Sequence, residues 1–425
     1  VKLFKRVFFK KYYDFDRSDI DLHNFHPQLR MLFAVNGIFF KNRDSILRFV
    51  WPSISMAMFF IAFPIESLVM HHGLVVEDYS LATECFCYLV ILGCVPNVYI
   101  SVIKNRAKVM ELLDNLNMDF IFICSLGGSY RKCFLDGQLI IWKLFLSWGM
   151  FGISVTVLYI SNTLLYLLYQ SLFMTFDEET VRPLIFPLWL PADDPYRTPN
   201  YEMFLLIEVL MCIIILMTFA VYVYILFHLL LHVHNLMEVM IVAIGELFQG
   251  LDPAVVKLPT NHSDRRMTRA ILTSKIRQIV TWHVSVYKYM STISSVYGPI
   301  LVYQMMFSSI AMCLMAFQIV DQLDNGKLDI IFCMLEITTL LQLWIPCYIG
   351  TLIRNKAYAV GDACYNSGWQ NSQLGSLVRH EIAIIIMRSH IPLLIKFTAL
   401  PQIQLETFSS VTNILRSYHK CVTYF

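Results

Sequence analysis

The chain of 425 residues is 57% hydrophobic and only 15% charged, with a mean hydropathy of +0.58, whereas a soluble domain carries ~25% charged residues. That balance excludes an ordinary soluble protein and points to an integral membrane protein. A net charge of +2 and a pI near 8.0 leave no global basic field, which removes nucleic acid from the expected partners.

In chain order, residues 1–45 form a charged segment with Lys2, Lys5, Arg6, Lys10 and Lys11. The chain begins with Val1, so a few native residues are expected to precede it. No apolar run precedes residue 46, so no cleavable signal peptide is expected and the first span targets the chain. Seven apolar stretches of spanning length follow, at about 46–70, 80–103, 138–163, 202–231, 293–320, 329–353 and 401–425. Of the 33 Lys and Arg, 27 fall on one side: 10 through Arg48, and 5, 7 and 5 in connections 104–137, 232–292 and 354–400. Connections 71–79, 164–201 and 321–328 hold 3 together, and Lys143, Arg416 and Lys420 lie inside spans. Positive charge collects in the cytoplasm, which predicts a cytoplasmic N-terminus and an extracellular C-terminus.

The fourth span overshoots the bilayer. From Tyr201 no proline or glycine appears before Gly245, and ~45 helical residues are about twice the membrane thickness. Its second half, with His228, His232, His234 and Glu238, therefore projects into the cytoplasm. So does 265–292, with Arg265, Arg266, Arg269, Lys275 and Arg277, across a breaker-rich loop at 250–264. Segment 354–400 has helical patterning too interrupted to span. These parts predict a cytoplasmic helical layer. The sequon Asn261-His-Ser263 falls on that side and is expected to carry no sugar. Outer loop 171–200 carries Asp177, Glu178, Glu179, Asp193 and Asp194, read as a solvated acidic loop or as a means of enriching cations.

The eleven cysteines are scattered, mostly through apolar spans and inner loops, and read as free thiols. The His228, His232 and His234 trio has metal-like spacing, but no second segment completes a ligand set. No phosphate loop, G-x-S-x-G or H-E-x-x-H occurs, so neither enzyme nor cofactor is expected. Four glutamates lie within spans. Glu66 and Glu84 fall near outer helix ends and read as boundary residues with access to water. Glu208 and Glu336 sit about two turns deeper, where an ionisable group is either a hydrogen-bonded structural carboxyl or part of a site.

The last span, 401–425, is too polar for lipid. Phe408, Val411, Leu415, Tyr418, Val422 and Phe425 fall on one arc, spaced three and four apart. Glu406, Ser409, Ser410, Thr412, Asn413, Arg416, Ser417, Lys420 and Thr423 fall on the other, which must meet protein or water. Upstream stand Gln342-Leu-Trp-Ile-Pro-Cys-Tyr-Ile-Gly350, Ala363-Cys-Tyr365-Asn-Ser-Gly-Trp369 and Arg388-Ser-His-Ile-Pro392, and then Leu405-Glu-Thr-Phe-Ser-Ser-Val-Thr-Asn-Ile-Leu415-Arg-Ser-Tyr418 with Val422-Thr-Tyr-Phe425. This ordered series, over residues 342–425, resembles the C-terminal signature of the insect odorant receptors.

The resemblance implies an all-α membrane protein with seven transmembrane helices and a cytoplasmic anchor layer. It also implies a subunit of a ligand-gated, non-selective cation channel in which the last helices of four subunits line the pore. Expected segments are 1–45 (cytoplasmic), 46–353 (spans one to six with extensions at about 232–292), 354–400 (anchor) and 401–425 (pore helix). Partners implied are co-receptor subunits in a heterotetramer, a small volatile odorant, permeating cations and lipid, in the plasma membrane of a sensory-neuron dendrite. The chain resembles a ligand-tuning member because 232–292 lacks the co-receptor's long insertion. Ser409, Thr412, Asn413, Arg416, Lys420 and Thr423 are the implied pore-lining residues. The family's pocket among spans two to six implicates Phe86, Tyr88, Phe151, Val155, Tyr159, Phe204, Ile207, Glu208, Met211, Phe332, Leu335 and Glu336, with Met312 and Met315 nearby. Arg416 and Lys420 depart from what a cation pore wants, and the gate is expected beyond Phe425. A gustatory-type receptor of the same fold remains an alternative. A G-protein-coupled receptor fits less well, since its termini would be reversed and it would carry Asp-Arg-Tyr and Asn-Pro-x-x-Tyr motifs, and a transporter would show internal repeats.

Overall fold

The computed structural model describes residues 10, 15, 20–36, 49–173, 181–191, 194–326, 329–395, 403–410 and 412–413. Every regular element among them is helical. In chain order these are α1 (Leu22–Phe25), α2 (Pro27–Val35), α3 (Val50–Val75), α4 (Tyr79–Lys104), α5 (Arg106–Leu126), α6 (Gly128–Phe173), α7 (Asn200–Gly245), α8 (Ser263–Asp324), α9 (Ile330–Asn366) and α10 (Arg379–Ser389). Six of them, α3, α4, α6, α7, α8 and α9, are long and apolar enough to cross a membrane. The chain is an all-helical, multi-pass membrane protein. The seventh expected span is helical at 405–410 and 412–413 and otherwise lies outside the described residues, as do Arg416, Lys420 and Thr423.

Side-chain caps start the spans where the sequence supplies them. The Asp78 carboxylate accepts from Leu81 N–H (3.0 Å) at the head of α4, and Asp329 accepts from Ile331 and Phe332 N–H (2.8 and 3.2 Å) at the head of α9. Apolar side chains then decide what faces out. α6 is the most peripheral span, and Ile140, Leu144, Ile153, Val157 and Leu165 are exposed on it. An exposed apolar face is the arrangement that lipid stabilises.

The 46 residues of α7 and 62 of α8 give helices of ~69 and ~93 Å, far longer than the ~30 Å hydrocarbon core. Beyond the spans, α7, α8 and α9 continue side by side. With α1, α2, α5, α10 and the start of α6 they enclose the largest apolar core in the molecule. One expectation changes here. Residues 104–137, read as a connecting loop, contain the 21-residue α5, whose Val109, Leu112, Leu113, Leu116, Phe120 and Ile123 are buried. Their three- and four-residue spacing is a helix period partly hidden among charges. The helix of the sixth span also continues past 353 without a break: α9 runs on to Asn366, because Ile353, Ala357, Val360 and Cys364 continue its buried stripe into the layer.

The terminal helix starts at Leu405 rather than at Pro401. Gln404 accepts from the Thr407 and Phe408 N–H groups (3.0 and 3.2 Å), and the Leu405 N–H donates to Thr351 Oγ1 (3.1 Å). The Ile403 carbonyl lies against Gly350, where a Cβ would overlap it, so this crossing requires glycine.

Candidate functional site

A cavity of about 130 Å³ lies among α3, α4, α6, α7 and α9, roofed by the connection before α7. α3 contributes Ala62, Ile65 and Glu66; α4 contributes Tyr88, Ile91 and Leu92; α6 contributes Val155, Thr156 and Tyr159. α7 supplies the longest stripe, Phe204, Ile207, Glu208, Met211, Cys212 and Ile215, at helical spacing. Leu335 of α9 and Phe186 and Leu188 of the roof complete it.

The roof is tied down by polar contacts. Ile185 N–H donates to Glu208 Oε2 (2.7 Å), Tyr201 Oη donates to the Pro183 carbonyl (2.9 Å), and Tyr196 Oη donates to the Leu188 carbonyl (3.0 Å). Arg182 reaches Thr198 and Glu202 at 3.1 and 3.4 Å, and the His72 ring stacks on Trp189 with centroids 3.9 Å apart. Phe186 then meets Tyr88 edge-on at 4.8 Å.

Of the twelve residues singled out from the sequence, the fold gathers Tyr88, Val155, Tyr159, Phe204, Ile207, Glu208, Met211 and Leu335 on this cavity. Four lie elsewhere. Phe86 is exposed on the outer face of α4, since two residues along a helix turn the side chain by ~200° and Tyr88 already faces inward. Phe151 lies a turn from Val155 and packs on Trp148 at 5.9 Å. Phe332 is buried behind Tyr88 at 6.3 Å, in a cluster that also takes Met312 and Met315. Glu336 is half-buried off the cavity, with no hydrogen-bond partner for Oε2 among the described residues.

The boundary reading of Glu66 is overturned: it is 6% exposed, as is Glu208, and it lines the cavity from α3, a helix not expected to contribute. The signal was present in the sequence. Glu66 stands nine residues before the end of α3 at Val75, ~13 Å along the axis from that end, about as far as Glu208 stands from the start of α7. Glu84 is half-buried and accepts from Tyr88 Oη (3.0 Å). The roof residues carry no periodic pattern and no such signal.

The sequence profile of the 7tm Odorant receptor family matches residues 143–415, well over half the chain. The chain belongs to the odorant receptor family. Odorant receptor 67c of Drosophila melanogaster is 27% identical over 136 residues, covering 32% of this chain and 33% of that protein. Odorant receptor 82a of the same species is 23% identical over 224 residues, 52% of each. The receptor thus spans a third to a half of the length of these curated relatives. The olfactory receptor OR5 of Machilis hrabei has the same fold, with TM-score 0.68 and 16% identity over 93% of this chain and 96% of that one. Its complex with eugenol gives TM-score 0.70, again at 16% identity, over 94% and 97%. Family and fold are those of a receptor rather than an enzyme.

Elsewhere in the receptor, Ser409 and Asn413 are exposed and Thr412 is half-buried on the terminal helix, while Phe408 packs inward. Arg354 of α9 bonds Gln404 (2.6 Å) and Glu406 (3.2 Å), joining the layer to that helix. In the layer, His228 and His232 are buried, and among the described residues no group of three or more His, Cys, Asp or Glu is arranged to hold a metal ion. His26 Nε2 donates to Gln138 Oε1 (3.1 Å) and His26 Nδ1 accepts from Gln28 (3.2 Å). Burial holds the His26 imidazole well below its usual range, and the nearby His228 and Lys10 lower it further.

Proposed function

We propose that the receptor is the odorant-binding, ligand-tuning subunit of a ligand-gated, non-selective cation channel, assembled with co-receptor subunits as a heterotetramer. The cavity is the odorant site. The observation that carries this reading is its make-up: a small space walled mostly by aliphatic, aromatic and methionine side chains, with few polar groups, is what a small volatile molecule with a largely apolar body requires. Burying such a ligand is worth ~25 cal/mol per Å² of apolar surface. The complex of the Machilis hrabei receptor with eugenol supports a small organic ligand in this fold.

Residues 1–45, the 232–292 extensions and 354–400 lie in the cytoplasm as the anchor layer, the C-terminus lies outside, and the receptor works in the plasma membrane of a sensory-neuron dendrite. The charge bias of 27 Lys and Arg against 3 supports this orientation. The polar arc of the terminal helix, with Ser409, Thr412, Asn413, Arg416, Lys420 and Thr423, lines the permeation path, and ligand binding opens it through differential affinity for the open state.

Electrical recording from cells with and without the co-receptor tests the proposal. Currents of millisecond onset that persist when G-protein turnover is blocked are expected; currents that vanish under the block overturn the channel reading. An epitope before Val1 should stain only after permeabilisation and one after Phe425 without it, and sugar on Asn261 would reverse the orientation.

A further inference from the structure

Two acidic side chains from different helices share this otherwise apolar cavity. Glu66 of α3 and Glu208 of α7 are each 94% buried, as their 6% exposures state. No lysine, arginine or histidine stands among the described lining residues. Glu208 has one oxygen engaged by the roof, where Oε2 accepts from Ile185 N–H at 2.7 Å. The Cys85 thiol lies against the Glu66 carboxyl, yet Glu66 Oε2 is buried with no hydrogen-bond partner among the described residues. A buried acceptor without a donor is a cost that proteins seldom retain. The terminal torsion of a glutamate is soft, so a donor arriving in the cavity can recruit this carboxyl.

We infer that the cavity selects a small volatile amine, bound as its ammonium ion against the Glu66 carboxyl in the cavity that Glu208 also lines. The inference rests on the cavity being the odorant site. Three features separate an amine from other volatiles. A carboxylic acid would bring a third acidic group into a cavity that already holds two and no basic side chain among its described lining residues. A ketone or ester offers only acceptors and leaves Glu66 Oε2 unpaired. An alcohol offers one neutral donor, whereas an ammonium offers up to three donors and a charge, which suits a buried carboxylate that must be paired and hydrogen-bonded. The protons balance on either route. A free-base amine takes the proton of one carboxyl, and an ammonium entering from water displaces that proton to solvent; both leave one ammonium against one carboxylate. Size limits the rest of the ligand, since an apolar cavity of ~150 Å³ holds benzene and this one measures about 130 Å³.

The test uses one phenyl series, the isosteric pair benzylamine and benzyl alcohol with toluene and benzoate, on the full-length receptor assembled with its co-receptor. Concentration–response curves are recorded, and thermal stabilisation of the purified full-length chain is measured beside them. Benzylamine should act at least tenfold lower in concentration than benzyl alcohol, with toluene weaker still and benzoate inactive. Glu66→Gln should raise the benzylamine half-maximal concentration tenfold or more while benzyl alcohol moves by less than threefold, which also shows that the variant folds. Benzyl alcohol or toluene matching benzylamine overturns the inference, and so does an equal shift for all ligands in Glu66→Gln. If no ligand evokes current, stabilisation decides, and benzylamine stabilising the chain no more than benzyl alcohol overturns it. Phe204→Ala separates the two levels. Potencies that shift without an amine preference sink the amine inference alone, while a variant at normal surface amount with no shift for any agonist sinks the odorant site itself.

Discussion

Around Asp119 and around Glu66 the receptor buries acidic side chains in two different ways. Asp119, in the helical layer, accepts from Tyr289 Oη at 2.6 Å and from His232 Nε2 at 3.3 Å. His232 Nδ1 accepts from Gln138, Gln138 accepts from His26, and His26 accepts from Gln28, which also donates to Tyr224. This chain of side-chain hydrogen bonds links the residue that closes α1 with α2, α5, α6, α7 and α8. Glu66 lies among apolar groups with one oxygen unpaired, beside a cavity. The contrast separates two jobs. A hydrogen-bonded network in a packed core, with no space beside it, holds one arrangement of helices, whereas an unpaired acceptor that borders a cavity is what a ligand can complete.

The comparison breaks most visibly if the layer is not the rigid end. Phe120 is fully buried and packs on Phe25 at 5.7 Å and Phe134 at 4.8 Å. Phe120→Ala should therefore cost ~3–5 kcal/mol, read as a large drop in melting temperature and in surface amount; a variant with wild-type melting would show that the layer is loosely packed. Gly350→Ala comes next. The new methyl group meets the Ile403 carbonyl, and overpacking of this kind costs ~1–3 kcal/mol. The chain entering the terminal helix must shift, so ligand-evoked current should fall by more than surface amount does. Equal falls would make this crossing purely structural.

At the cavity, the effect should appear in ligand response rather than in folding. Phe204→Ala and Tyr159→Ala each remove apolar contact worth ~1–3 kcal/mol, which shifts agonist potency by roughly three- to hundredfold. Phe86→Ala, on the outward face of α4, should leave potency within threefold. Surface amount is measured in parallel, and a Phe86 effect equal to that of Phe204 would erase the distinction between inward and outward faces.

The smallest effect tests the network by pH. Protonating His26 forces Nδ1, which accepts from Gln28, to become a donor, and the folded state resists this by holding the imidazole low. The folded-state value is depressed, so this contribution is fully present above the ordinary value of about 6.5 and is lost as pH falls below it. The slope is at most about 1.4 kcal/mol per pH unit. Wild type should lose more melting temperature between pH 6.5 and 5.5 than His26→Gln does, and parallel losses would remove His26 from the account.

Six of the seven expected spans and the overshoot of α7 were legible in the sequence because helix length and lipid compatibility are properties of each segment by itself. The α7 residues Phe204, Ile207, Glu208 and Met211 were reached through the family resemblance; their helical spacing belongs to the segment, but which arc faces inward is set by its neighbours. The Lys and Arg bias predicts an orientation, but the fold carries no membrane sides. What only the tertiary structure decided is which stripes meet. α5 is a helix buried by its neighbours rather than a loop, Phe86 faces outward because Tyr88 faces inward, and Glu66 becomes a cavity residue only because α3 leans on α4 beside α7. The roof at Phe186 and Leu188 is aperiodic, and side-chain contacts from α4 and α7 and from the neighbouring Tyr196 and Tyr201 hold it in place, so its position exists only in the folded chain.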